Sequence, residues 1–427
     1  MNLSPSHREV TGNVQPRISA KQMYALFVLV GINAAHFMDD WVLSIIVEPV
    51  KAEFELSDGE VGMLYGMAFA VPYILSGLVF ATVIDRCNRR NLLATIVICW
   101  STLTAICGLA VSYTMLFVAR MGVGAATGGS SPTALSMIAD IFPRDRRATA
   151  VGVFYIAGPL GYTASVLLGG AATAHWGWRA AFMLASVPGI CFALLALTTM
   201  KEPPRGQHDE ASTEAIPEPI GLRNAWQHVV TNRGMLSLGL AALLLAASHS
   251  AILGWMPSLL IREHHFTVAT GGIAMGPISG IAGVIAMAVS GWLSDRLAFR
   301  DRRWPMWLAA LSAVATLTLG VLMISIAGDS SMLTVMFAYF FAAGLYIGPL
   351  YGAWLNHAPP HNRAAVIALL IIVITLMGGV GPYMGGLLSD AFGGPHSLRA
   401  ALSSLLSLNA ISAGLILYAA RKEFGLT

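Results

Sequence analysis

The sequence predicts an all-α integral membrane protein with twelve transmembrane helices in two pseudo-symmetric six-helix halves around a central cavity. Three observations carry this. Of the 427 residues 56% are hydrophobic and only 11% charged, where soluble domains carry charge on roughly 25%. Twelve stretches each supply the ~20 largely apolar residues that a span needs, because backbone N–H and C=O groups inside a bilayer must be satisfied within the segment. Finally, motifs of the first half recur in the second.

The spans fall near 22–47, 58–83, 92–112, 114–140, 148–172, 179–200, 234–262, 267–294, 303–327, 331–358, 363–391 and 397–420. The polar stretch before Gln22 lacks a small-residue cleavage site and leads into a full-length span, so the first helix is expected to stay as an anchor. Loops alternate sharply in Lys and Arg. One set holds 20 of the 25, while the other holds only Lys51, Arg179, Arg262 and Arg399, leaving Arg120 inside a span. The positive-inside rule then places both termini in the cytoplasm. The net charge of +3 reflects this bias and calls for no nucleic-acid partner. Four cysteines, Cys87, Cys99, Cys107 and Cys191, form no CxxC. They read as small apolar packing residues rather than disulfide or metal ligands.

The polar, Pro-containing segment 201–233 reads as a cytoplasmic linker between an N-terminal half (22–200) and a C-terminal half (234–420), with cytoplasmic tails at 1–21 and 421–427. Within it, "IGLRNAWQHVV" suits a short amphipathic helix on the membrane surface. The halves echo each other. "SGLVFATVIDRCNRR" closing span 2 is matched by "SGWLSDRLAFRDRR" closing span 8, and the "GP" pairs of spans 5 and 11 and the "RAA" before spans 6 and 12 also correspond. The pairs Asp85/Asp295, Arg147/Arg363, Pro159/Pro382 and Arg179/Arg399 lie 210 to 223 residues apart, as a duplicated six-helix unit requires. Duplicated halves around a midplane site are the architecture of secondary transporters.

These Asp-Arg loops, GP pairs and 6+6 organisation resemble the major facilitator superfamily over nearly the whole chain. "MDDWVLSIIVEPVKAEFELSDGEVGMLYGMAFA" and "ARMGVGAATGGSSPTALSMIADIFP" further resemble its Spinster-like branch. The resemblance implies transport by alternating access, with spans 1 and 4 adjacent and lining the cavity. It also implies a small-molecule cargo that is lipid-like or an organic acid. No HExxH, GxSxG or Walker loop points to an enzyme. A non-coupled facilitator, an efflux antiporter or a transport-like receptor would share the scaffold. The expected setting is a bacterial inner membrane, with the lipid bilayer as partner, a monomeric state and no cofactor beyond the transmembrane proton gradient.

The feature that demands explanation is "HFMDDWVLS" in span 1. His36, Asp39 and Asp40 are spaced i, i+3, i+4 and share a helical face, which Asn33 extends by a turn. A carboxylate at span depth costs ~2.5–3.5 kcal/mol and needs a cavity or a partner, unless the span ends before it. Arg120 is the expected partner. At 1.5 Å per residue it lies ~9 Å inside the outer end of span 4, and Asp39 lies ~12 Å inside that of span 1. The Spinster-like pattern has Asp-Arg in span 1 and Arg with a Glu seven residues later in span 4. Here Asp39 and Arg120 match, but Asp40 stands at the Arg position and Thr127 at the Glu position. Two carboxylates beside one guanidinium in low dielectric are not expected to hold two charges. The Asp39/Asp40 pair is therefore expected to carry the coupling proton, with Arg120 alternating between the pair and an anionic cargo group. The alternative is a static Asp–Arg bridge between helices.

Further substrate contacts are expected from His249, which lies 210 residues after Asp39, and from Trp255, Tyr339, Tyr346, Tyr351 and Asn356, with Tyr155 and Tyr162 in span 5. Each also has a plain packing reading. Asp85, Arg86, Arg89 and Arg90 at the end of span 2, and Asp295 and Arg296 at the end of span 8, are expected to latch the cytoplasmic side when the cavity faces outward. A plain positive-inside signal would explain the arginines, but not the matched aspartates. Gly158-Pro159 and Gly381-Pro382 let helices bend or pack closely.

Overall fold

The structure, a computed structural model, describes residues 18–206, 222–301, 303–357 and 363–423, with the side chains of 144, 222–224, 355–357, 363–365 and 423 excepted. All its regular structure is helical. Span 1 is α1 (Ala20–Phe54), opened by a capping box in which Ser19 and Gln22 satisfy each other's backbone N–H. Span 2 is α2 (Asp58–Tyr65) and α3 (Met67–Val83), span 3 is α4 (Arg89–Cys107), and span 4 is α5 (Tyr113–Thr127) and α6 (Ser130–Ile141). Span 5 is α7 (Arg144–Tyr155) and α8 (Ala157–Trp176), and span 6 is α9 (Trp178–Thr199). The expected surface helix is α10 (Leu222–Thr231). Spans 7 to 9 follow as α11 (Arg233–His264), α12 (Val268–Ala298) and α13 (Trp304–Ser325). Span 10 is α14 (Asp329–Leu345) and α15 (Ile347–His357), span 11 is α16 (Arg363–Phe392), and span 12 is α17 (Ser397–Leu406) and α18 (Leu408–Glu423).

Eleven of these stretches are long and apolar enough to cross a bilayer. Span 4 differs because it breaks at Gly128-Gly129, where span 2 crosses at backbone contact. A Cβ on Gly128 would lie 2.3 Å from Ser76 Oγ and 2.4 Å from Tyr73 O. Span 5 breaks just before its Gly-Pro, since the Pro159 ring crowds the carbonyl four residues back and has no N–H to bond it. Span 11 keeps its Gly-Pro in one helix and uses Gly381 for close packing instead, 2.1 Å from Ala247 O for an added Cβ. The α1 helix continues well past Asp40 through Pro49, so both aspartates lie inside the helix rather than at its end.

Counted from the first helix, both ends of the described chain and the start of the linker lie at one face of the bundle, here called the linker end; the other is the distal end. The halves meet chiefly through α8 against α12 and α2 against α16, and the tightest approaches are distal. A Cβ on Gly66 would fall 2.0 Å from Gly379 O, and one on Gly272 would fall 2.2 Å from Val166 O. Small residues thus close the distal seam. Gly66→Ala is accordingly expected to wedge the seam, at ~1–3 kcal/mol of overpacking. The measurement is labelling by an impermeant maleimide, from the distal side, of a cysteine replacing Trp41 in a variant without the native cysteines.

The tail before residue 18, the linker at 207–221, Arg302 and the side chains of Arg363 and Asn356 lie outside the described residues. At the start of the linker, Arg89 is only 2% exposed. It pairs with Asp140, donates Nε to Glu202 at 2.8 Å and Nη1 to Ser136 Oγ at 3.0 Å. Glu202 also accepts the Arg90 N–H at 2.8 Å, and Arg205 stands 3.6 Å from Asp85. In this conformation these five contacts join the N-terminal half to itself or to the start of the linker, and none of them reaches the C-terminal half. Arg86, Asp295 and Arg296 are exposed, and Arg296 lies over the Trp292 ring at 5.5 Å.

Candidate functional site

The two aspartates of span 1 have different surroundings. Asp39 is 2% exposed and turns toward span 3, where the Thr104 hydroxyl donates to its Oδ1 at 2.5 Å. Asp40 keeps a side chain 23% exposed, with Oδ1 3.9 Å from Arg120 Nη2. Arg120 itself is fully buried. Its Nη1 and Nη2 donate, at 3.4 Å each, to the backbone carbonyls of Asp39 and Asp40, Phe69 lies 5.4 Å from its Cζ, and its Nε has no partner among the described residues. The expected juxtaposition of spans 1 and 4 is therefore present, with Asp40 as the nearer carboxylate. A buried planar cation held on two carbonyls and one carboxylate can exchange that carboxylate for another anion without leaving its site.

Several expected contacts lie elsewhere. Asn33 is 2% exposed and donates to Phe154 O at 3.1 Å, tying spans 1 and 5. His36 packs among Phe37, Tyr73 and Trp100, with the Tyr73 ring stacked at 6.4 Å. Thr127 is fully buried and returns its hydroxyl to Val123 O at 2.5 Å. Trp255, 2% exposed, donates to Pro382 O at 2.8 Å, and Tyr339, 1% exposed, is core. In each case the polar atom is consumed by the backbone or the side chain is enclosed, so these positions are packing in this conformation. Tyr162 bonds across the halves, its hydroxyl donating to Leu253 O at 3.0 Å. Tyr346 is nearly buried, Tyr351 is half-buried and Tyr155 is 38% exposed. His249 is half-buried between Tyr339 and Phe340 with no partner for Nδ1 among the described residues, which leaves a polar atom available.

The sequence reading missed two features. The first is an aromatic collar beside Asp40, in which Trp41 lies 5.6 Å from Tyr65 and 5.3 Å from Tyr162. The second is a distal ionic seam. Arg262 donates Nε to Glu48 at 2.8 Å and Nη1 and Nη2 to both oxygens of Asp58 at 2.8 Å. Asp58 also pairs with Lys51 and accepts from Ser389 Oγ at 2.7 Å. Asp390 accepts the N–H groups of Asp58 and Gly59 at 3.0 and 2.7 Å, so that a C-terminal-half carboxylate caps an N-terminal-half helix. Arg179 pairs with Glu53 at 2.6 Å, and Arg399 pairs with Glu263. All four basic residues of the sparse loop set, Lys51, Arg179, Arg262 and Arg399, are thus neutralised. The signal in the sequence is the set of acidic residues in or beside those same loops, Glu48, Glu53, Asp58 and Glu263.

Two helical halves sealed at one end around a buried charge cluster define a multi-pass membrane transporter. The chain belongs to the Major Facilitator Superfamily, whose profile matches residues 29–382. An MFS-type efflux pump of Mycolicibacterium smegmatis is 30% identical over 372 residues, covering 86% of this chain and 84% of that one. The sphingosine-1-phosphate transporter SPNS2 of Danio rerio is 22% identical over 387 residues, covering 84% and 74%. A crystal structure of a bacterial homolog to the human lysosomal transporter Spinster, inward-facing and unoccupied, superposes with a TM-score of 0.86 at 24% identity, over 95% of this chain and 98% of that one. The chain is accordingly a transporter of small molecules and not an enzyme.

Proposed function

We propose that the protein is a proton-coupled secondary transporter of amphipathic organic anions, in which Asp40 carries the proton. The observation that carries this is the asymmetry of the pair: Asp39 is enclosed and held by Thr104, whereas Asp40 is partly open and 3.9 Å from the Arg120 guanidinium. Protonating Asp40 removes the charge that faces Arg120, and Arg120 then accepts an anionic cargo group; cargo binding favours protonation by the same coupling free energy. The collar of Trp41 and Tyr65, with Tyr155 and His249, would receive the apolar body. The phosphate named in the cargo of the zebrafish relative supports the anionic class, and the efflux activity of the mycobacterial relative supports antiport, with proton entry driving export. The loop arginines support cytoplasmic termini in a bacterial inner membrane, since 20 of the 25 Lys and Arg residues fall in the loop set of the linker end. On this reading the present conformation is open to the cytoplasm, and Asp85, Asp295 and their arginines latch the opposite one.

The test is accumulation of labelled sphingosine-1-phosphate in proteoliposomes with and without an imposed pH gradient. Asp40→Asn is expected to lose gradient-driven accumulation but keep gradient-independent exchange, whereas Asp39→Asn keeps its response to the gradient. If Asp40→Asn still responds to the gradient, Asp40 is not the proton carrier.

A further inference from the structure

An apolar cleft outside the transport path lies at the linker end of the C-terminal half. Its walls are Trp226 and Val229 of α10, Leu240 and Leu243 of α11, and Leu370 and Val373 of α16; its volume is about 100 Å³ and it has no polar lining. Trp354 forms the back wall. Its Nε1 donates to Val366 O at 3.4 Å, and its ring edge would lie 2.8 Å from a Cβ on Gly239, so glycine there gives the indole its place. The amphipathic helix α10 roofs the cleft by burying Ala225 and Val229 while leaving Trp226 53% exposed, the placement that aromatic residues adopt at membrane interfaces.

Charge is present at the mouth. Arg233, the first residue of α11, is exposed and has no partner among the described residues. It shares a helix face with Leu236, Leu240 and Leu243, which follow at i+3, i+7 and i+10. Leu243 therefore stands ~15 Å from Arg233 along the helix, the hydrocarbon depth of one leaflet. We infer that the cleft is a binding site for an anionic phospholipid of the linker-end leaflet, with one acyl chain between α11 and α16 and the phosphate at Arg233. A neutral lipid would fill the apolar part equally well; the free cation at chain-origin depth selects the anionic one.

The test uses the full chain in nanodiscs containing phosphatidylglycerol or phosphatidylcholine probes that carry the same acyl-chain diazirine, with labelled positions mapped by mass spectrometry. Phosphatidylglycerol labelling is expected to concentrate on the cleft residues relative to equally exposed positions such as Leu75 and Leu417, and to exceed phosphatidylcholine labelling there about fivefold. Leu243→Trp and, separately, Val373→Phe should remove cleft labelling while leaving Leu75 and Leu417 labelled. Arg233→Gln should keep the chain label and lose the headgroup preference. Even labelling over all lipid-facing spans, or undiminished cleft labelling in both filled variants, would overturn the site; equal labelling by the two probes would overturn the anionic assignment.

Discussion

Arg262→Ala is expected to open the distal side. The guanidinium bridges Glu48 and Asp58 of one half from the other, and Asp58 is 3% exposed. Removing it leaves an enclosed carboxylate with Lys51 as its remaining ion-pair partner and the Ser389 hydroxyl as a neutral donor. Loss of one partner of a fully buried pair costs about 3–5 kcal/mol; because a fifth of the Arg262 side chain meets solvent, we scale this to about 2 kcal/mol, or roughly 30-fold in the balance between closed and open distal states. The distal maleimide reactivity of a cysteine at Trp41 should rise accordingly. Asp58→Asn should act in the same direction, since it keeps the size but gives up the ion pairs. An Arg262→Ala protein no more reactive than its parent would show that the seam is held by the glycine contacts alone. High salt should mimic the variant weakly, because the pairs are only partly exposed.

Arg120→Ala should have the largest effect on transport. It removes the only cation beside Asp39 and Asp40 among the described residues and leaves two enclosed backbone carbonyls without their donor. A loss of about 3–5 kcal/mol of stability is expected, read as a lower thermal-unfolding midpoint in detergent, together with transport below about one hundredth of the parent. Arg120→Lys separates charge from geometry. A lysine keeps the charge but cannot span both carbonyls and the Asp40 carboxylate, so thermal stability should recover in part while transport does not. Full recovery of transport by lysine would reduce Arg120 to a point charge and remove the case for forked recognition of the cargo anion.

How much of this was legible in the sequence depends on the length scale of the interaction. The number of spans, the duplicated halves and the surface helix near Trp226 follow from runs of apolar residues and fixed offsets, which are local properties of the chain. The depth match of Asp39 and Arg120 was also readable, because rise per residue is constant along a helix. The direction of each side chain around its helix was not. Asn33, His36 and Asp39 share a face on paper, yet they meet spans 5, 2 and 3 respectively, and Trp255 and Thr127 satisfy themselves on backbone carbonyls. The ionic seam was hidden for a similar reason. Asp58 and Asp390 lie 332 residues apart, and nothing in either neighbourhood names the other.

By itself, then, the sequence determined that this is a twelve-span, two-half membrane transporter with two carboxylates and one guanidinium at matching depth. A bilayer imposes that outcome on any chain of this pattern, since each span must satisfy its own backbone. The tertiary structure alone decided which carboxylate is enclosed and which is open, and that glycine contacts and ion pairs join the halves at the distal end. Those outcomes depend on how helices rotate and cross, and crossing is set by contacts such as Gly66 on Gly379 and Arg262 on Asp58, between residues far apart in the chain.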